Sequence, residues 1–187
     1  MIRRATGFAV FIYTVLVLFG GSALSGSSLG ELARESERKM TATAKTRPTP
    51  QMVMDKVDQA ATLIKKEGPA AFPKFKGKDS PFIFAGTYIW ILDEGGVVRM
   101  HPIKYKLEGK RLISLRDSRG KRFVAAMKRK ASEHGSGWVD YWWPKAGAKT
   151  PAQHVSYVKR VHVGGKMFVV GCGVSDMSKE DFATLPK

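Results

Sequence analysis

Five short runs of β-branched and aromatic residues constrain the fold more than any other feature of this chain. Thr87 to Leu92 (TYIWIL) reads as a central strand. Asp93, Glu94, Gly95 and Gly96 supply a turn, and Val97 to His101 resumes an extended pattern, so the two runs make a hairpin. Gly137 to Trp143, His154 to Val161 and Lys166 to Val174 predict three more strands, separated by Pro144 to Ala152 and by Val163 to Gly165. Two helices interrupt this series. From Gln51 to Lys66 the apolar residues Val53, Val57, Ala60, Ala61 and Ile64 recur at three- and four-residue steps, and Gly68 and Pro69 end the helix. A shorter helix is expected over Ala70 to Phe75. Lys121 to Ser132 forms the next long one, with Phe123, Val124 and Met127 inward and Asp117 to Gly120 as a capping turn. The order of helix, two strands, helix and three strands predicts an α+β fold, an antiparallel sheet covered by helices on one side.

The first 30 residues have a different character. Arg3 and Arg4 precede an apolar run from Phe8 to Phe19, which gives way to small residues from Gly20 to Ser28. That order is the pattern of a signal peptide, expected over residues 1–25 and cut after Ala23 or Ser25. The apolar run is short for a membrane span, which needs roughly 20 residues. The alternative is a retained anchor to the inner membrane, with residues 8–24 in the bilayer. Residues 26–50, closing on Arg47, Pro48, Thr49 and Pro50, read as a linker or frayed helix. Residues 51–187 then form a single domain, and the exported protein is periplasmic or secreted.

Composition removes several classes. Cys172 is the only cysteine, so an intramolecular disulfide, a cysteine-based zinc site and thioether haem attachment are excluded; its apolar surroundings make it a core residue. The four histidines show no tight metal-ligand pairing, and no cofactor is expected. Lys and Arg total 32 against 16 Asp and Glu, a formal charge of +16. A basic surface suits nucleic acid, anionic lipid or anionic ligands. No recognition helix, zinc finger or RNA-binding motif is present, and nucleic acid is not expected as a partner. The positive run on the Lys121 to Ser132 helix reads as a solvated face.

The segments YIWILDEGGVVRMHP, LEGKRLISLRDSRGKRFV, GSGWVDYWWPKAG, HVSYVKRV and FVVGCGVSD, in this order and spacing, resemble the single Cache domain of bacterial extracytoplasmic sensors. The likeness runs from about Val53 to Val174. It rests on Tyr88 and the Asp-x-Gly turn, the His101-Pro102 pair, Asp117-x-x-Gly120-Lys121, Gly137-Trp138-x-x-Tyr141-x-Trp143-Pro144, Ser156-Tyr157 and the glycine-rich last strand. The resemblance implies a PAS-like antiparallel sheet with a long N-terminal helix, and a pocket between the sheet and its covering loops. It also implies sensing of small organic anions such as short carboxylates. Because no output domain follows the last strand, the expectation is a stand-alone member that passes occupancy to a membrane sensor or transporter.

The expected ligand-binding residues are Tyr88, His101, Tyr141, Trp143, His154, Ser156 and Tyr157. The two-residue period of a strand puts Val139, Tyr141 and Trp143 on one face, where Tyr141 and Trp143 are expected to project into an open cavity. The family often carries Lys before its Val-Ser-Tyr strand; here the position is His154, which would make carboxylate binding weaker or pH-dependent. His101 lines the pocket or pins the turn, and Tyr88 and Tyr157 are wall or core residues. A nucleophilic set of Ser156, His154 and Asp140 or Asp176 is conceivable, but there is no nucleophile elbow. Gly171-Cys172-Gly173 opens no helix and is no dinucleotide fingerprint. The chain is therefore expected not to be an enzyme. The rival reading is a basic envelope interaction module without a working small-ligand pocket.

Overall fold

The computed structural model describes residues 47–144, 149–175 and 184–185, all within the unit Thr41–Lys187. The expected signal peptide or anchor, most of the expected linker, and Asp176 lie outside the described residues.

Helix α1 spans Pro50–Glu67. Thr49 Oγ1 accepts a hydrogen bond from Met52 N at 3.2 Å, and Pro50, lacking a donor, occupies the first turn at no cost. Gly68 ends the helix with φ of 65°, a conformation that disfavours a side chain. Val53, Val57, Ala60, Ala61 and Ile64 are buried along one stripe. Burial of each Val or Ile is worth roughly 1.5–3 kcal/mol, so a charge at Val57 would break the packing of α1. A 3-10 turn, Gly68–Phe75, follows where a short helix is expected.

The strands are β1 (Ile83–Phe84), β2 (Thr87–Asp93), β3 (Val98–Met100), β4 (Ser136–Pro144), β5 (Pro151–Val163) and β6 (Lys166–Ser175). Helix α2, Phe123–His134, connects β3 to β4 after the long covering segment. All pairings are antiparallel. The sheet runs β1-β2-β6-β5-β4, and β3 also pairs with β2. Strand β6 therefore lies at the centre between β2 and β5, where Ile91 faces Val170 and Ser156 faces Gly173. The two-residue strand β1 escapes the periodicity signal because it is too short to display one.

Helices lie on both faces, which corrects the one-sided expectation. One face carries Ile89, Ile91, Val155, Tyr157, Val170 and Cys172, packed with the buried stripe of α1. The other carries Leu92, Val139, Tyr141, Val158 and Val169, packed with Phe123, Val124, Met127 and Ala131 of α2. Each strand supplies alternate residues to the two clusters, as the pleat requires. Sequence periodicity gives each helix an apolar face but not the side of the sheet it meets.

Asp117 does not cap α2, whose first turn has no side-chain cap. Its carboxylate instead closes its own loop, accepting from Arg119 N and Lys121 N at 2.9 Å each. It also reaches the edge strand, accepting from Trp142 N at 3.0 Å. Lys121 Nζ donates to Asp140 O at 2.6 Å and to its carboxylate at 2.7 Å. The DSRGK segment thus satisfies polar groups of β4 that an exposed sheet edge would offer to another chain.

Candidate functional site

The face of the sheet under α2 and the covering segment 101–122 holds most of the expected binding residues. Tyr141 and His154 are cross-strand partners of β4 and β5, and their rings stack with centroids 5.5 Å apart. Ser156 lies two residues beyond His154, on the same face. Its hydroxyl is 3.1 Å from the Tyr141 hydroxyl. Gly173 faces Ser156 from β6, and a Cβ there would stand 3.0 Å from Ser156 Oγ and 3.2 Å from the Tyr141 hydroxyl. Glycine leaves room for the hydroxyl pair. Gly171 similarly makes space for Trp90, whose six-membered ring lies against the bare backbone.

Tyr141 does not line open space. Phe123, the first residue of α2, stacks flat on its ring, with centroids 4.7 Å apart and planes 7° apart. Phe123 also meets Trp143 at 5.3 Å. The expectation that Tyr141 and Trp143 project together into an open cavity is corrected: both rings meet α2. Burial pushes the Tyr141 phenol up to about 12, despite the bond from Ser156, with Tyr88 adding to the rise. Tyr141 is a neutral hydroxyl at any ordinary pH.

His101 and Tyr88 adjoin one another, their rings 5.0 Å apart. Burial lowers the His101 pKa to about 4, with the Lys104 ammonium adding to the fall and Glu108 opposing it. His101 Nδ1 accepts from Ile103 N at 3.3 Å and Lys104 N at 3.0 Å. A ring that accepts at Nδ1 while neutral carries its proton on Nε2, so His101 pins the turn and retains one N–H donor but no charge. Burial also raises the Tyr88 pKa, with Cys172 contributing.

Tyr157 is placed elsewhere. It packs at 5.1 Å from Trp138 on the α1 face, opposite Tyr141, because adjacent strand residues point to opposite sides. The conceivable nucleophilic set is likewise divided: Ser156 Oγ pairs with Tyr141, whereas Asp140 is held by Lys121. Asp117, whose Asp-x-x-Gly-Lys spacing predicts a capping turn, instead holds the covering segment on β4 through Trp142 N and stands outside the hydroxyl group. Phe123, a core residue by its helical spacing, covers Tyr141.

Two surface grooves lie away from this group. One follows α1 beside Asp55, Asp58, Leu63 and Phe82, and the other lies beside α2 among Lys121, Arg129, Lys130 and His134. Among the described residues no helix is long and apolar enough to cross a membrane, and no three His, Cys, Asp or Glu side chains are grouped to hold a metal.

An antiparallel sheet with a long helix on one face, and aromatic rings and hydroxyls beneath a covering segment on the other, defines a PAS-like α+β sensor architecture. The chain belongs to the Cache domain family, which matches residues 80–181. Over 93 residues, 50% of this chain, it is 34% identical to the methyl-accepting chemotaxis protein McpP of Pseudomonas putida, and the match spans 17% of that protein. The periplasmic sensor domain of a chemotaxis protein is 25% identical and superposes with a TM-score of 0.50, covering 78% of this chain and 98% of that one. A methyl-accepting chemotaxis protein from Vibrio parahaemolyticus shares the fold, with a TM-score of 0.53 at 22% identity over 78% of this chain and 96% of its own.

Proposed function

We propose that this chain is an exported sensor domain that takes a small organic anion, such as a short carboxylate, on the sheet face beneath α2 and passes occupancy to a membrane sensor or transporter. The observation that carries the reading is the buried Tyr141–Ser156 hydroxyl pair, flanked by the His154 ring. Hydroxyls and imidazole N–H groups are donors that a desolvated carboxylate needs. The site's chemistry is recognition rather than catalysis. The His154 ring, stacked on Tyr141, supplies the imidazole of this set.

Phe123 lies on Tyr141, so an entering ligand must displace it. Phe123 begins a helix that has no side-chain cap, and an uncapped end is the part of a helix that moves most readily. Occupancy would thereby become a shift of α2 and of the covering segment. The relationship to sensor domains of chemotaxis proteins supports this direction of signalling.

A thermal-shift series with acetate, propionate, pyruvate and ethylamine tests the reading. A ligand that binds only the native state raises Tm in a concentration-dependent way. Carboxylates are expected to raise it in the native protein and not in Tyr141→Phe or His154→Ala. No shift with any carboxylate, or an equal shift in all three proteins, overturns the assignment.

A further inference from the structure

The loop from Pro102 to Arg111 is anchored by buried Pro102 and by Leu107, which packs against the α2-side cluster, and contributes nothing to the hydroxyl site. It reads Pro-Ile-Lys-Tyr-Lys-Leu-Glu-Gly-Lys-Arg. Among the described residues the exposed large hydrophobics are Met52, Ile103 and Tyr105, and the two most exposed, Ile103 at 55% and Tyr105 at 54%, are in this loop. Lys104, Lys106, Lys110 and Arg111 are exposed around them. The single acid of the loop, Glu108, is turned inward: it pairs with Lys76 at 2.8 Å and accepts from His101 N at 2.8 Å.

The loop is also firmly held. Gly109 N donates to Val98 O at 2.8 Å and Val98 N to Lys110 O at 3.0 Å. A 3-10 turn spans Tyr105–Leu107, and His101 Nδ1 accepts from the backbone of Ile103 and Lys104. Lys76 lies over the Tyr105 ring, 5.4 Å from its centroid. Two apolar side chains are thus displayed outward from an ordered turn, so little conformational entropy remains to be lost on docking.

We propose that this loop docks on an anionic phospholipid surface, with Ile103 and Tyr105 entering the headgroup layer and Lys104, Lys106, Lys110 and Arg111 neutralising the lipids around them. An apolar side chain, a tyrosine with an apolar body and polar tip, and interleaved cations match the layering of a bilayer interface, where anionic groups lie outside and hydrocarbon beneath. An acidic protein surface would meet the cations but offers no such layer beneath them. The contact is separate from any membrane attachment by the N-terminal segment and does not depend on the ligand-binding reading.

The test uses the full chain with a nitroxide label at Ile103→Cys. Cys172 is buried, so the introduced thiol is the one labelled in native protein. With vesicles of phosphatidylcholine containing about a third phosphatidylglycerol, the label is expected to lose access to a water-soluble relaxant and gain access to oxygen. Salt at about 0.5 M, where surface charges are strongly screened, is expected to reverse the change. Lys104→Glu with Lys106→Glu is expected to abolish it, as is replacement by vesicles of phosphatidylcholine alone. A second label at Gln59→Cys, exposed on α1, which packs on the sheet face opposite the one that Leu107 joins, is expected to stay in water. A label at position 103 that remains in water on the anionic vesicles overturns the proposal. So does equal immersion of the two labels, or immersion that survives both the salt and the double substitution. A free acidic lipid headgroup such as glycerol phosphate, added without vesicles, is expected to leave the label unchanged; an equivalent change would overturn docking on a surface in favour of simple anion binding.

Discussion

The hydroxyl of Tyr141 lies 3.1 Å from that of Ser156, and both press on Gly173, one of the two points of β6 that have no side chain. Ser156 is fully buried, so its hydroxyl has no solvent to fall back on. Tyr141→Phe and Ser156→Ala are each expected to cost about 0.5–1.5 kcal/mol of stability. The double variant should cost less than their sum because the same bond is lost once. Gly173→Ala should cost about 1–3 kcal/mol by overpacking and less in a Ser156→Ala background. Urea unfolding of the native protein and these five variants measures all of these, and strict additivity would contradict the contact.

Asp117 ties the covering segment to the sheet edge. Burial pushes its carboxyl up, but N–H donors from Trp142, Lys121 and Arg119, with the Lys121 ammonium, outweigh this and leave the pKa below the ordinary value. A depressed carboxyl stabilises the fold above its unfolded pKa of about 3.9 and loses that contribution as pH falls through the folded value. Asp117→Ala is expected to cost about 1–3 kcal/mol at neutral pH by stranding those donors. Hydrogen exchange should accelerate at Trp142 N–H before it does in β6. Unchanged protection at Trp142 would show that the edge does not need the clamp.

His101 acts in the same direction over a higher pH range. Its pKa of about 4 lies below the unfolded value of about 6.5, so the unfolded chain binds the extra proton first. Its contribution to stability is complete above the unfolded value, declines as pH falls, and is gone below about 4. The loss amounts to a few kcal/mol at most. Imidazole NMR should find His101 neutral at pH 6 with its proton on Nε2. Titration near 6.5 would remove the case for its role as a fixed acceptor.

Cys172 reports on opening of the sheet. Burial raises its thiol to about 12, against the opposing bond from Thr87, and it is fully buried between β2 and β5. The thiolate is the reactive form, so alkylation in native buffer should track global unfolding and accelerate with denaturant. Rapid labelling of folded protein would mean that the central sheet opens locally.

Much of the fold was legible because it is written locally. Strands β2, β4, β5 and β6 were legible from period two and α1 from its three- and four-residue steps, since each pattern reports which side chains of one element share a face. The grouping of Tyr88, Tyr141, His154 and Ser156 was partly legible for the same reason. Tyr157 was placed with them on the strength of the motif, although its neighbour Ser156 already assigned it to the opposite side.

The sequence by itself determined α1, α2 and the longer strands, the buried character of Cys172 and the excess of positive charge. Only the tertiary structure decided that α1 and α2 cover opposite faces, that Phe123 closes over Tyr141, and that Asp117 grips Trp142 rather than capping its own helix. The physical reason is that periodicity fixes a side chain's direction relative to its own backbone. Which partner waits in that direction depends on segments far away in the chain, brought together by the antiparallel pairing of β2 with β6 and β5 with β4.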